Sequence, residues 1–141
     1  MKILLSIILF LSCSYLYSQD NFQKGYDLIN AKEYEKSIIH FLISSDIDST
    51  KNDSYYFLGL AYFGLKKIDI SEYYFNKGFF QLSDPNYEDK EKSIMFLRFI
   101  SLCAYLQNDY SRACSLYTAL VLAGDKTPET FDYFCKTCGC K

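Results

Sequence analysis

Apolar and small residues recur three or four positions apart along most of the chain, with polar residues between them. Tyr55, Leu58 and Tyr62 show this spacing. It places its members on one face of an α-helix. Short polar stretches interrupt the pattern, and the predicted helices between them cover Asn21–Asn30, Tyr34–Ser44, Asp53–Leu65, Ile68–Gln81, Glu91–Gln107 and Tyr110–Ala123. The sequence therefore predicts an all-α protein whose helices are joined by turns.

The pattern also repeats over a longer distance. Gly59 corresponds to Gly25 and Phe75 to Phe41, and both pairs show the same difference in numbering (59 − 25 = 34 and 75 − 41 = 34). A third copy follows at a longer spacing, since Tyr117 takes the place of Phe75 (117 − 75 = 42) and eight residues have been added. A period of about 34 residues is typical of a solenoid built from helix-turn-helix units. The predicted repeats cover about 18–51, 52–85 and 94–127.

These stretches resemble the tetratricopeptide repeat. The third copy matches at Leu97, Ile100, Ser101, Ala104, Asn108, Asp109, Tyr110, Ala113, Tyr117 and Leu120. The second matches at Tyr55, Leu58, Gly59, Tyr62, Ser71, Phe75 and Gly78, and the first at Gly25, Leu28, Tyr34, Ser37, Phe41 and Ser44. The resemblance implies antiparallel helix pairs stacked as a right-handed superhelix. About three repeats and a C-terminal capping helix, starting near Thr127, are expected.

The resemblance further implies a concave groove lined by the first helix of each repeat. Its residues would be Phe22, Tyr26, Ile29, Tyr56, Leu60, Phe63, Arg98, Leu102 and Tyr105. Family members that clamp a C-terminal carboxylate place Lys, Asn and Arg there, and only Arg98 fits that pattern. A protein or peptide segment with hydrophobic side chains is therefore the expected partner. The alternative is that these aromatic residues are core, partly covered by the C-terminal helix.

The N-terminal residues 1–18 are predicted to be a secretion signal. Lys2 precedes the apolar run 3–11, which is too short to span a membrane as a helix. Cleavage after Ser18 would leave one domain over 19–141, without a membrane span. The alternative is cleavage before Cys13 and attachment of a lipid there. Both predict export to the periplasm or cell envelope, and the lipidated form would be associated with the outer membrane.

Composition and motifs exclude several functions. The formal net charge is −2 and no basic block occurs, so nucleic acid is not an expected partner. His40 is the only histidine, and there is no phosphate-binding loop or nucleophile elbow. The acids Asp84, Glu88 and Asp89 beside Pro85 are explained by helix capping. We therefore predict no enzyme, no catalytic residue and no cofactor.

The C-terminal tail 135–141 contains three cysteines, Cys135, Cys138 and Cys140. With Cys103 and Cys114, the chain after the signal has an odd number of thiols. Disulfide bonds are the default in an exported protein, which leaves one thiol free or joined to another chain. A zinc site is the alternative, although a second Cys-x-x-Cys or paired histidines are absent. The tail thus suggests a second function, a thiol- or metal-handling module, beside the favoured binding scaffold.

Overall fold

The computed structural model describes residues 19–46, 51–82, 89–125, 127 and 138–139. Within these ranges all regular structure is helical, so the predicted all-α class is confirmed. The helices are α1 (19–30), α2 (Tyr34–Ser44), α3 (Lys51–Gly64), α4 (Ile68–Leu82), α5 (Lys90–Leu106) and α6 (Tyr110–Leu122). Each helix end that falls inside the described ranges agrees with the predicted one to within two residues. No helix in the described ranges is long and apolar enough to cross a membrane.

Several predictions concern residues outside the described ranges. They are the signal 1–18 with Cys13, the acids Asp84 and Glu88 beside Pro85, the C-terminal capping helix beyond Thr127, and the cysteines Cys135 and Cys140. The capping role is confirmed for Asp89, whose carboxylate accepts a hydrogen bond from the backbone N–H three residues later at 3.0 Å. Asp109 caps α6 in the same way at 3.1 Å. These bonds satisfy amide groups that a helix leaves unpaired at its start.

Each tight turn between helices contains one residue with left-handed backbone. These residues are Lys32, Lys66 and Asn108, with φ of 61°, 59° and 64°. They follow the repeat spacing, because Lys66 corresponds to Lys32 (66 − 32 = 34) and Asn108 corresponds to Lys66 (108 − 66 = 42). After Lys32 and Asn108, the next backbone N–H donates to the carbonyl five residues earlier, at 2.8 and 3.0 Å. This arrangement satisfies the last carbonyls of a helix and reverses the chain.

The chain divides into two compact units, Met1–Lys66 and Lys67–Lys141. In the first unit α2 packs against α3. The contacts that define the register are Tyr34 with Gly64, Phe41 with Phe57, and Ser44 with Ser54. As the position in α2 rises, the position of the partner in α3 falls by the same amount. The two helices therefore run antiparallel, as predicted for consecutive helices.

In the second unit α4 packs against α5 in the same way. The contacts are Ser71 with Cys103, Phe75 with Phe99, and Gly78 with Phe96. Phe75 and Phe99 correspond to Phe41 and Phe57 under the repeat spacing (75 − 41 = 34 and 99 − 57 = 42). Both pairs of rings are stacked, with centroids 5.2 Å apart in the first unit and 4.8 Å in the second. The spacing read from the sequence therefore reappears as one packing register in both units.

The eight residues added between the second and third copies lengthen the helices of the second unit. α4 has 15 residues where α2 has 11, and α5 has 17 where α3 has 14. These differences account for seven of the eight added residues. The additions extend the end of α4 and the start of α5, and leave the register of the Phe75–Phe99 contact unchanged.

Corresponding positions in the two units fill the space between helices differently. The hydroxyls of Ser44 and Ser54 are buried and 2.6 Å apart in the first unit. Their counterparts are Gly78 and Phe96, and the Phe96 ring, which is 1% exposed, occupies the space that a side chain at Gly78 would need. Because the Phe96 ring of α5 fills this space, position 78 of α4 must hold a residue as small as glycine.

The second unit is completed by packing of α5 and α6. Its apolar cluster consists of Ala104, Ala113, Tyr117 and Leu120, with Ile94, Leu97, Tyr105, Cys114 and Leu116 packed against it. An ion pair between Arg112 of α6 and Glu72 of α4, with atoms 2.8 Å apart, also holds this unit together. Because the Glu72 side chain is only 10% exposed, its charge needs this partner.

Replacing Lys66 by glycine should stabilise the protein. A left-handed residue with a Cβ costs roughly 1–2 kcal/mol, and glycine loses about 0.5–1 kcal/mol in backbone entropy on folding. We expect Lys66→Gly to raise the free energy of unfolding by about 0.5–1 kcal/mol in urea denaturation. Lys66→Ala, which removes the same charge but keeps a Cβ, should match the parent protein. Equal stabilities of the two variants would contradict the left-handed turn.

Adding a methyl group at Gly78 should destabilise the second unit. The new Cβ would overlap the buried Phe96 ring, and overpacking costs typically about 1–3 kcal/mol. The change from glycine to alanine gains about 1 kcal/mol in helix propensity, so we expect Gly78→Ala to lower the free energy of unfolding by up to about 2 kcal/mol. The control is Gly64→Ala, whose Cβ would lie 2.6 Å from the half-buried Tyr34 ring. Since that ring can move toward solvent, urea denaturation should show little change.

Candidate functional site

The candidate binding surface in the first unit is formed by one side of α1 and of α3. We call it the α1–α3 face, and its residues are Phe22, Tyr26, Ile29, Tyr56, Leu60 and Phe63. Tyr26 is 41% exposed and the other five are half-buried. By contrast, Tyr55 and Leu58 on α3 are buried in the core. The six predicted groove residues of this unit therefore keep part of their apolar surface in contact with solvent.

Phe57 holds the aromatic residues of this face in place. Its ring stacks on the buried Phe41 with centroids 5.2 Å apart. The rings of Phe22, Tyr26 and Tyr56 meet Phe57 edge-on, at centroid distances of 5.5, 5.5 and 5.3 Å. Aromatic pairs of this kind are worth about 0.5–1.5 kcal/mol each beyond the area that they bury. Three of the predicted groove residues are thus brought together around one ring that the sequence analysis did not single out.

The α1–α3 face has no charged member. Among the nearby charges on α1, Lys24 lies 2.6 Å from Asp20, and the Asp27 carboxylate accepts a hydrogen bond from the neutral Gln23 amide at 2.9 Å. Burial raises the pKa of Tyr56, so its phenol stays protonated at neutral pH. Contacts made by this face would therefore depend on apolar area, ring edges and neutral hydroxyls.

The other three predicted groove residues, Arg98, Leu102 and Tyr105, lie on α5 in the second unit. All three are half-buried, and Tyr105 contacts the ring of Tyr110 at a centroid distance of 5.5 Å. The Arg98 guanidinium donates from Nε to Oδ2 of Asp125 at 2.6 Å and from Nη2 to Oδ1. A ligand carboxylate would have to compete with Asp125 for this arginine, so Arg98 is a poor candidate for a carboxylate clamp.

Asp125 is the better-buried member of this pair, with a side chain only 2% exposed. The hydrogen bond from Arg98 holds the pKa of Asp125 well below its usual range, and bonds from the hydroxyl and backbone N–H of Thr127 act in the same direction. Asp125 follows directly on the left-handed Gly124, whose φ is 89°. The Arg98–Asp125 pair therefore fixes the chain where it leaves α6.

His40 and the buried Cys103 each contact a polar side chain on a neighbouring helix. His40 Nδ1 lies 2.9 Å from Oδ1 of Asn21, which connects α2 to α1. The Cys103 thiol is fully buried and lies 3.9 Å from the Ser71 hydroxyl, to which it donates. Burial is the main cause that raises the pKa of Cys103 to about 11. Cys103 is thus a protonated, inaccessible thiol at neutral pH.

Cys138 of the tail is bonded to Cys114 of α6 in a disulfide, with Cα atoms 5.8 Å apart. Cys138 is exposed, whereas Cys114 is half-buried against the α5–α6 cluster. A sulfur in a disulfide is not a thiolate ligand for a metal. Among the described residues, no group of three or more potential ligands is placed to hold a metal ion. The pairing with Cys114 could not be read from the sequence, because spacing alone does not give disulfide connectivity.

Comparison of the chain with protein-family models and with curated proteins gives no match. The tetratricopeptide assignment therefore remains a proposal, supported by the repeat spacing and by the packing register that follows it.

Replacing Asp125 should destabilise the protein at neutral pH and reduce its sensitivity to acid. The pKa of Asp125 in the folded protein lies below its value of about 3.9 in the unfolded chain. The ion pair therefore stabilises the fold fully above about pH 4, and this stabilisation is lost as the pH falls further. Because Arg98 is 38% exposed, we expect Asp125→Asn to cost only about 1–2 kcal/mol at pH 7.

Urea denaturation of parent and variant from pH 7 to pH 2 measures both effects. The two stabilities should converge as the pH falls below 4. The control is Asp69→Asn on the surface of α4, where the carboxylate accepts a hydrogen bond from Gln107 at 3.0 Å. A constant difference between Asp125→Asn and the parent across this range would contradict the ion pair.

Proposed function

We propose that this protein is a non-enzymatic scaffold that binds an extended, apolar segment of another protein through the α1–α3 face. The observation that carries the proposal is the cluster around Phe57. Edge-on ring contacts hold Phe22 and Tyr26 on α1 in position, while Tyr26 remains 41% exposed. Exposed aromatic rings that are already ordered bind a partner without a large loss of side-chain entropy.

The chemistry of the face indicates what kind of segment would bind. Its six residues offer apolar area and two phenol hydroxyls, those of Tyr26 and Tyr56, and no charge. A hydrophobic segment that presents side chains to the rings and backbone groups to the hydroxyls fits these features. A ligand recognised through its C-terminal carboxylate does not, since Arg98 already pairs with Asp125. The assignment of Leu102 and Tyr105 to a binding surface rests on the tetratricopeptide resemblance alone.

We place this scaffold in the cell envelope of a bacterium. The signal-like N-terminal residues 1–18 support export. The Cys114–Cys138 disulfide supports the same location, because such bonds persist in oxidising compartments. The second candidate function is a module that acts through its C-terminal tail. The Cys114–Cys138 disulfide favours thiol chemistry over metal binding for such a module.

Removing the most exposed ring of the face should weaken peptide binding. Random twelve-residue peptides displayed on phage would be selected on the full-length protein, and the selected peptides measured by fluorescence anisotropy. We expect Tyr26→Ser to raise Kd about tenfold, because losing a buried aromatic contact costs about 1–2 kcal/mol.

Tyr73→Ser on α4 is the matched control, since Tyr73 is even more exposed, at 57%. Tyr73→Ser should leave Kd unchanged. Because no charge takes part in binding, Kd should also be unchanged by amidation of the peptide C-terminus and by a rise in salt from about 50 to about 500 mM. Selected peptides that bind the Tyr26 variant as tightly as the parent, or that need a free carboxylate, would refute the proposed site.

A further inference from the structure

Exposed hydrophobic residues form a stripe along α4. Ile70, Tyr73 and Phe80 are all exposed, Phe80 most of all at 70%, and Lys77 lies between the two aromatic residues in the sequence. These four residues fall within about 80° around the axis of an α-helix, so they share one side of it. We call them the α4 stripe. The buried Phe75, which packs on α5, lies on the opposite side of α4.

The packing of the repeat does not require apolar residues in this stripe. At the repeat spacing, the counterparts of Ile70 and Phe80 in the first unit are Lys36 and Asp46 (70 − 34 = 36 and 80 − 34 = 46), and both are charged and exposed. Single exposed hydrophobic residues are common on protein surfaces, but several on one side of a helix indicate an interaction surface. The α4 stripe is therefore a candidate contact with another molecule.

The α4 stripe is symmetric when the direction of the helix is reversed. Its members are separated by three, four and three positions, which is the same spacing in both directions. Two antiparallel copies of α4 therefore place Ile70 of each copy against Phe80 of the other, and Tyr73 of each against Lys77 of the other. Such pairing uses the same surface on both copies, as in a two-fold symmetric dimer, which is the commonest arrangement of protein oligomers.

The charge on Lys77 favours a second copy as the partner and the antiparallel orientation. Its Nζ lies 5.7 Å from the centroid of the Tyr73 ring in the same helix, where the cation is attracted to the ring. In an antiparallel pair, the Tyr73 ring of the other copy approaches the same ammonium. In a parallel pair, the two Lys77 side chains would face each other and repel. A wholly apolar partner would bury the ammonium without supplying a further ring or an opposite charge.

We propose that this protein forms a weak two-fold symmetric dimer in which the α4 stripes of two copies pack antiparallel. The rings of Tyr73 and Phe80 each bury roughly 100–150 Å² of exposed surface in this contact. With Ile70, the interface reaches about 600 Å² over both copies, whereas stable specific interfaces bury about 1,200–2,000 Å². Monomer and dimer therefore exchange, with an expected Kd of about 10⁻⁴ M. The contact does not involve the α1–α3 face and is independent of the function proposed for that face.

Sedimentation of the purified full-length protein tests the dimer, which should form as the concentration rises from about 10 µM to about 1 mM. Lys77→Glu places a carboxylate against the Tyr73 ring of the other copy, and Tyr73→Lys places a second ammonium against Lys77. Each substitution should raise the Kd of association about tenfold, because every dimer loses two cation–ring contacts. Tyr26→Ser on the α1–α3 face is the matched control and should leave association unchanged.

A mixture of the two variants tests the antiparallel register. A Lys77→Glu chain paired with a Tyr73→Lys chain keeps one tyrosine–lysine contact and gains one glutamate–lysine ion pair. The mixed dimer should therefore form with a Kd within about threefold of the parent value, while each variant alone associates weakly. Sedimentation of an N-terminally labelled Lys77→Glu chain with increasing amounts of unlabelled Tyr73→Lys chain measures this Kd. Circular dichroism verifies that both chains are folded.

Four results would overturn the proposal. They are a parent protein that stays monomeric up to about 1 mM, association that neither variant weakens, a mixture that associates no better than its components, and association that Tyr26→Ser weakens as much as Lys77→Glu does. Vesicles of phosphatidylglycerol test a lipid surface as the alternative contact. Vesicle binding that Phe80→Ser abolishes, by a chain that remains monomeric in solution, would assign the α4 stripe to lipid and equally refute the dimer.

Discussion

The stacked contact between Phe41 and Phe57 is the interaction on which the first unit depends. Phe41 is fully buried, and its ring lies where a Cβ at Gly25 would be only 2.9 Å away. One aromatic side chain of α2 therefore contacts both α1 and α3, and the absence of a side chain at Gly25 makes the approach to α1 feasible. The positions of Phe22 and Tyr26 on the candidate surface follow from this contact, since both rings rest on Phe57.

Much of the fold could be predicted because it depends on local patterns. The spacing of apolar residues placed the helix bounds within two residues, and the repeat spacing identified Phe75 as the counterpart of Phe41. Gly124 lies just past the end of α6, and its left-handed φ of 89° is typical of a glycine at that position. These features need only the period of a helix and the conformational freedom of glycine.

The features that sequence reasoning missed depend on which distant residues meet. Phe57 was not recognised as the centre of the aromatic cluster, although Phe99 at the corresponding position gave a signal for it. The pairing of Cys114 with Cys138 had no such signal, because several pairings satisfy the same spacing. The ion pair of Arg98 with Asp125 was missed for the same reason, since the two residues are 27 positions apart.

The lengthened helices of the second unit have a consequence for how this fold could change. The four residues that α4 gains at its end add about 6 Å of helix, and they include Phe80, which is 70% exposed. Since the Phe75–Phe99 contact keeps the same register as Phe41–Phe57, the extra length was accommodated without altering the packed positions. The extension therefore adds an exposed ring at Phe80 and a buried side chain at Leu82, which is 4% exposed, so new surface and new core arise together while the older packing register is kept.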